Sequence, residues 1–175
     1  KWDNRKSEVV DLLEHYSPCI FGIQEGLADQ VNYIDEHLKA YARIGVGRDD
    51  GKTKGEYCAI FYKQKEWNLL KEETFWLSPT SNKVSVGWDA SMERICTYGL
   101  FENKMSNQKI LVFNAHYDHI GKVAREESSK LILRRIAEIN ENNYPVILMG
   151  DFNALPSQGA IKIFIDEFQD GASLV

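Results

Sequence analysis

"VILMGDFNALPS", Val146 to Ser157, is the stretch on which the fold turns. Its first residues, Val146 to Met149, form a continuous apolar run that suits a strand covered on both faces. The run then meets an acid, Asp151, with an amide, Asn153, two residues further on and Pro156 and Ser157 beyond. A carboxylate is costly to bury without a partner. A strand that ends this way asks for one.

Two other strands end in the same manner. "FGIQE" closes on Glu25, and "VFNAH" on Asn114 and His116. Residues two apart on a strand share a face, which pairs Asn114 with His116 and Asp151 with Asn153. If the three ends meet, two carboxylates, an imidazole and two amides gather at one edge of the core. Like charges in such a cleft repel, and a divalent cation would offset the repulsion. Oxygen donors with one histidine close by and no cysteine favour a hard ion, Mg2+ or Mn2+, over zinc. These are the parts for attack of water on a phosphate ester. The ion polarises a phosphoryl oxygen, a carboxylate orients or deprotonates the water, and the amide and imidazole donate to oxygens that gain charge. Taken singly, each residue has a plain alternative. Glu25 can be a solvated strand end, "GDFN" a tight turn with Asp151 bonded to local backbone, and His116 a satisfied core histidine.

Around these strand ends the chain alternates helix and strand. Amphipathic spacing predicts helices over Ser7–Tyr16 (Val9, Leu12, Leu13 and Tyr16 inward), Asp29–Leu38 (Val31, Ile34, Leu38) and Lys122–Glu141 (Leu131, Ile132, Ile136, Ile139). A fourth is expected from the Pro156–Ser157 boundary, with Ser157 as N-cap and Ile161, Phe164, Ile165 and Phe168 buried. Strands are expected at "CIFGIQ", "YARIGV", "YCAIFYK", "ICTYGLF", "KILVFNAH" and "PVILMGD". The runs Cys19–Ile23 and Ile110–Phe113, like Val146–Met149, read as covered on both faces. Helices outside and sheets inside form layers. A single doubly wound sheet is disfavoured because Tyr41–His116 holds several strands and no convincing helix. Ser78–Ser91 reads as a loop.

The 175 residues are 43% hydrophobic and 27% charged, one domain's worth with material for a sizeable core. The net charge of −5 disfavours a strongly basic nucleic-acid grip. The three cysteines, Cys19, Cys58 and Cys96, are widely spaced in apolar stretches and read as small buried hydrophobes. No apolar run is long enough to span a membrane, no obligate protein partner is evident, and the compartment is open.

"IQE" at Ile23–Glu25, "NAHYDH" at Asn114–His119 and "GDFNALPSQGA" at Gly150–Ala160 resemble the endonuclease/exonuclease/phosphatase superfamily, with "GEYCAIFYK" and "ERICTYGLF" resembling its central strands. The resemblance implies an α/β (α+β) fold, a DNase I-like four-layer α/β/β/α sandwich occupying residues 1–175. It implies that Glu25 binds the metal, that His116 contacts phosphate, and that Asp151 and Asn153 position water and phosphate. By similarity to the nuclease branch, Glu56 orients His116 and Arg94 contacts a phosphate. The plain alternatives are a solvated strand start for Glu56 and a surface ion pair with Glu93 or a neighbour for Arg94. Asn114 completes the substrate side, and Trp88 stacks on a base or sugar or else lids the core. His116-x-x-His119 invites a zinc reading, but two histidines three apart on a strand or its turn face different ways, and such a site needs further His or Cys. The opening strand with its asparagine and the closing Ser-Asp-His-like segment of the family are not matched, and "GASLV" looks like the start of something continuing. The chain is therefore expected to be part of a longer protein, nearly inactive alone. The expected function is a metal-dependent phosphodiesterase or nuclease acting on nucleic acid, nucleotide, phosphoinositide or phospholipid head group. A phosphomonoesterase and a non-catalytic binding module are the rivals.

Overall fold

Residues 1–171 are described by a computed structural model. The reading of "GASLV" falls almost wholly on residues 172–175 and lies outside the described residues. After a short 3-10 turn at Trp2–Asn4, the elements in chain order are α1 (Lys6–Tyr16), β1 (Ile20–Gly26), α2 (Ala28–His37), β2 (Tyr41–Ile44), β3 (Tyr57–Lys63), β4 (Trp67–Trp76), β5 (Ile95–Asn103), β6 (Lys109–His116), α3 (Lys122–Ile139), β7 (Val146–Asp151) and α4 (Gly159–Lys162). The strands form two sheets, ordered β1-β3-β2 and β4-β5-β6-β7. All pairings are antiparallel except β6 with β7, which the crossover through α3 makes parallel.

Strand alternation builds three apolar layers between four structural ones. On β3, Tyr57, Ala59 and Phe61 meet Val10 of α1 and Val31 and Ile34 of α2. The opposite face, with Ile60 and Tyr62, meets Val112 of β6 and Phe101 of β5 between the sheets. Leu111, Phe113 and Ala115, one step along β6, face away and pack under Leu131 and Ile132 of α3 and Ala160 of α4. The result is the helix–sheet–sheet–helix sandwich. Gly22 of β1 permits the sheets to close. A Cβ there would lie 2.7 Å from Met149 Cε and 2.8 Å from Asn114 Cγ, both on the facing sheet.

Several expectations need correction. β6 is buried as read, but β1 is half-buried and Ile147 of β7 is exposed, because both strands lie at the edge of their sheets among the described residues. In α1 it is Val10 that is buried, while Leu12 and Tyr16 face outward. The last helix is a single turn whose N-cap is Gln158 and not Ser157, and Ile165 is exposed while Phe164 is buried. The mixed stretch "NLLKEETFWL" forms most of the ten-residue β4. Cys19 is exposed. Cys58 and Cys96 are buried as expected, and burial pushes the Cys58 thiol up to about 12, which leaves it inert as a nucleophile. No helix of the described residues is long and apolar enough to cross a membrane.

Candidate active site

The site lies at one end of the layer between the sheets. On β6, alternation sends Asn114 and His116 to the same face as Ile110 and Val112. On β7 it sends Asp151 to the face of Met149, and His116 and Asp151 are direct register partners. β1 reaches the same place by breaking the alternation. Phe21 and Ile23 face the helices, so strict alternation would carry Glu25 with them. Instead, three steps from Ile23 to Gly26 oppose two steps from Ala59 to Tyr57, a one-residue bulge. Glu25 sits in it with φ 59, and its carboxylate turns toward the other sheet. Glu25 Oε1 lies 3.8 Å and Asp151 Oδ2 4.0 Å from His116 Nε2. One ligand atom from each of the three falls within 4.8 Å of the others, a candidate acidic–histidine metal group.

Burial divides the three residues. The Glu25 and Asp151 side chains are 68% and 49% exposed, whereas that of His116 is 6% exposed. The strand therefore ends on an acid because Asp151 stands at the mouth, in water, and avoids the desolvation cost. Its Oδ1 accepts the Asn153 N–H at 2.9 Å, and Asn153, at φ 44, donates its side-chain amide to the Tyr117 carbonyl at 2.9 Å. "GDFN" is thus a tight turn as well as part of the site. The turn, more than a shared strand face, links Asn153 to Asp151.

Below the mouth, Arg94 is buried, and its ion pair is not a surface one with Glu93 but a buried one with Asp118. Its Nη1 lies 3.1 and 3.2 Å from the two ring nitrogens of His116, its Nη2 2.9 Å from His119 Nδ1, and its Nε 3.4 Å from Asp118 Oδ2. Burial, then the Arg94 charge, lower the His116 pKa from its ordinary value, against opposing pulls from Asp151, Glu25 and Glu56. Asp118 is the buried acid that the sequence reading passed over. Burial alone would raise its pKa. Hydrogen bonds from the Gly121 N–H, the Ser91 hydroxyl and the Ile120 and Ser91 N–H groups outweigh that and hold it well below the usual carboxylate range. The Asp-x-x-Gly spacing at 118–121 signals such a turn, but nothing in the sequence tells that the carboxylate is buried beside Arg94.

The other nominated residues are held by other partners. Glu56 pairs with Arg48 at 2.5 Å, and no hydrogen bond joins it to His116 among the described residues. Asn114 is fully buried. It donates to the Ile23 and Ala59 carbonyls, both at 2.9 Å, and accepts from Gln24 Nε2 at 2.6 Å, which makes it a clasp between the sheets. Trp88, at φ 50, is half-buried against the α3-side core. Its neighbour Asp89 caps α3, accepting the Ala124 N–H at 2.6 Å and the Val123 N–H at 3.3 Å.

Comparison with known proteins agrees with this fold. A sequence model of the Endonuclease/Exonuclease/phosphatase family matches residues 1–166. An endonuclease/exonuclease/phosphatase family protein from Bacteroides thetaiotaomicron superimposes with a TM-score of 0.91 at 40% identity, over 95% of this chain and 60% of that one. A mannosyl-6-phosphatase from the same organism gives 0.92 at 40% identity, over 95% and 62%. The Ccr4 3'-5'-exoribonuclease subunit of the CCR4-Not complex of Mycosarcoma maydis is 25% identical over an alignment 202 positions long that covers 90% of this chain and 30% of that protein. The chain thus spans less than two thirds of each.

Proposed function

The chain belongs to the Endonuclease/Exonuclease/phosphatase family, and from that premise we propose that its protein hydrolyses phosphate esters with the help of Mg2+ or Mn2+. The convergence of Glu25, His116 and Asp151 from three strands of two sheets carries this reading. Two exposed carboxylate oxygens suit a hard cation. The Arg94 guanidinium beside His116 disfavours a cation at the imidazole, so Glu25 and Asp151 would hold the ion and His116 would face the phosphate. When bound, such an ion polarises the phosphoryl oxygen and offsets the charge that develops on it.

The chain's own residues supply the rest. Asp151, with Oδ1 fixed by the Asn153 N–H, keeps Oδ2 toward the site to orient the attacking water. His116, biased toward its neutral form by burial and by Arg94, donates a ring N–H to a phosphoryl oxygen. Water attacks phosphorus in line with the leaving oxygen, and no covalent intermediate forms. Asn153 acts through Asp151, and Arg94 through His116.

Two ester classes have support. The diester reading rests on the resemblance to the nuclease branch and on the exoribonuclease relative. A monoester is favoured by the 40% identity to a mannosyl-6-phosphatase, and the net charge of −5 suits a small substrate better than a long polyanion. The test is a panel of phosphate monoesters and diesters with the full-length protein, with magnesium and with EDTA. Turnover that appears with magnesium and stops with EDTA supports the reading. No turnover on any ester overturns it in favour of the non-catalytic module.

A further inference from the structure

Arg94 bridges two imidazoles, and only one of the two contacts selects a tautomer. Its Nη1 is nearly equidistant from both ring nitrogens of His116, at 3.1 and 3.2 Å, so that contact does not distinguish them. Its Nη2 addresses a single nitrogen of the second ring, His119 Nδ1, at 2.9 Å. A guanidinium has five N–H donors and no acceptor. His119 Nδ1 must therefore offer its lone pair, and the neutral ring then carries its proton on Nε2. Nε2 lies across the ring from Nδ1, so this N–H points away from Arg94. Arg94 is 5% exposed while His119 is exposed, so the direction away from Arg94 is outward, from the same guanidinium that touches His116.

The geometry points to His119 as a second imidazole donor of the site, with its Nε2–H available to a phosphoryl oxygen of the substrate. This assignment rests on the phosphoesterase reading. Asp118 is the positioning residue. Its Oδ2 holds Arg94 Nε and the Ser91 N–H and hydroxyl, and its Oδ1 holds the Ile120 and Gly121 N–H groups. One carboxylate thereby fixes both the guanidinium and the turn that carries His119. The spacing His116-x-x-His119 reads as a pair bridged by a guanidinium.

The test uses the full-length protein with 15N-labelled histidine. The Nε2–H tautomer is expected at His119, and its signal should shift when inorganic phosphate is added with magnesium. His119→Ala, at an exposed position, should lower kcat/KM on any ester the wild type turns over by at least tenfold, on the order of a hundredfold. His119→Gln, whose amide nitrogen reaches toward the place of Nε2, should recover much of that. Asp118→Asn should mix the His119 tautomers, whereas a purely structural Asp118 would lower the melting temperature and leave the tautomer intact. A His119 carrying its proton on Nδ1, a signal indifferent to phosphate, or a His119→Ala enzyme with wild-type kcat/KM would each overturn the assignment. If the wild type hydrolyses no ester, the phosphoesterase reading falls by itself, and the tautomer and the phosphate titration still decide the role of His119.

Discussion

At His116, burial and the adjacent guanidinium act in one direction. The folded pKa lies below the ordinary histidine value of about 6.5. In the unfolded chain the ring takes up a proton near that value, and in the folded chain only at lower pH. The stability tied to the neutral ring is thus full above about pH 6.5 and is lost as pH falls through the folded pKa. In metal-free protein, urea midpoints should drop between pH 7 and pH 5, and His116→Gln should flatten that slope. Glu25 presents a different balance. Its left-handed backbone costs on the order of 1 kcal/mol, and its carboxylate is turned into the site by that conformation. Glu25→Ala should abolish metal-dependent hydrolysis with the fold intact, and wild-type turnover would refute its role. Glu25→Gly should be equally inactive yet more stable by about 0.5–1 kcal/mol in denaturant titrations, because glycine adopts this φ without strain. The residues of the mouth were legible because acids and a histidine at apolar strand ends stand out. The bulge that aims Glu25 was not, since nothing in "GIQEG" announces a broken alternation.

Among the elements, every strand but the mixed β4 followed from its apolar run, and α2 and α3 from their stripes, because each buries one periodic face. The exceptions share a cause. β1 and β7 carry more apolar side chain than their edge positions bury, and sheet order is a property of non-local pairing that a local pattern does not encode. α3 shows a second non-local device. The first turn of a helix leaves its N–H groups without partners, and Gly121 at the N-cap supplies no side-chain cap. Asp89, from the loop before β5, fills that role across 35 residues of sequence. Its acid also suits the positive end of the helix. Asp89→Ala should therefore cost about 1 kcal/mol in thermal or urea unfolding, with Asp89→Asn retaining most of the cap. A neutral Asp89→Ala would show that the loop does not hold the helix. The sequence places Ser78–Ser91 on a loop, as observed, and leaves Trp88 between stacking on a base or sugar and lidding the core. The structure gives Asp89 this work in the scaffold.

For the molecule as a whole, Asn114 shows how closely the scaffold and the site are joined. Its amide binds Ile23 and Gln24 of β1 and Ala59 of β3 from its place on β6 in the facing sheet, one alternation before His116. Asn114→Ala would leave those buried groups unpaired, at a cost of about 3 kcal/mol. Chemical denaturation should show both sheets losing structure in one earlier transition. The sequence brought Asn114 and His116 to one face and so marked the right neighbourhood. It could not tell which of the two lies beside the acids of the mouth and which is clasped by the other sheet, because that depends on how far along the strands the sheets overlap. The same arrangement has a consequence for metal affinity. Glu25 rides on one sheet and Asp151 on the other, so the gap between them is set by the filling of the seam around Ile60, Phe101 and Val112. A void opened there, as by Phe101→Leu, would let the two jaws drift, and magnesium should dissociate more readily although every one of its ligands is unchanged. Calorimetric titration of that variant would make the cation a caliper for the spacing of the two sheets.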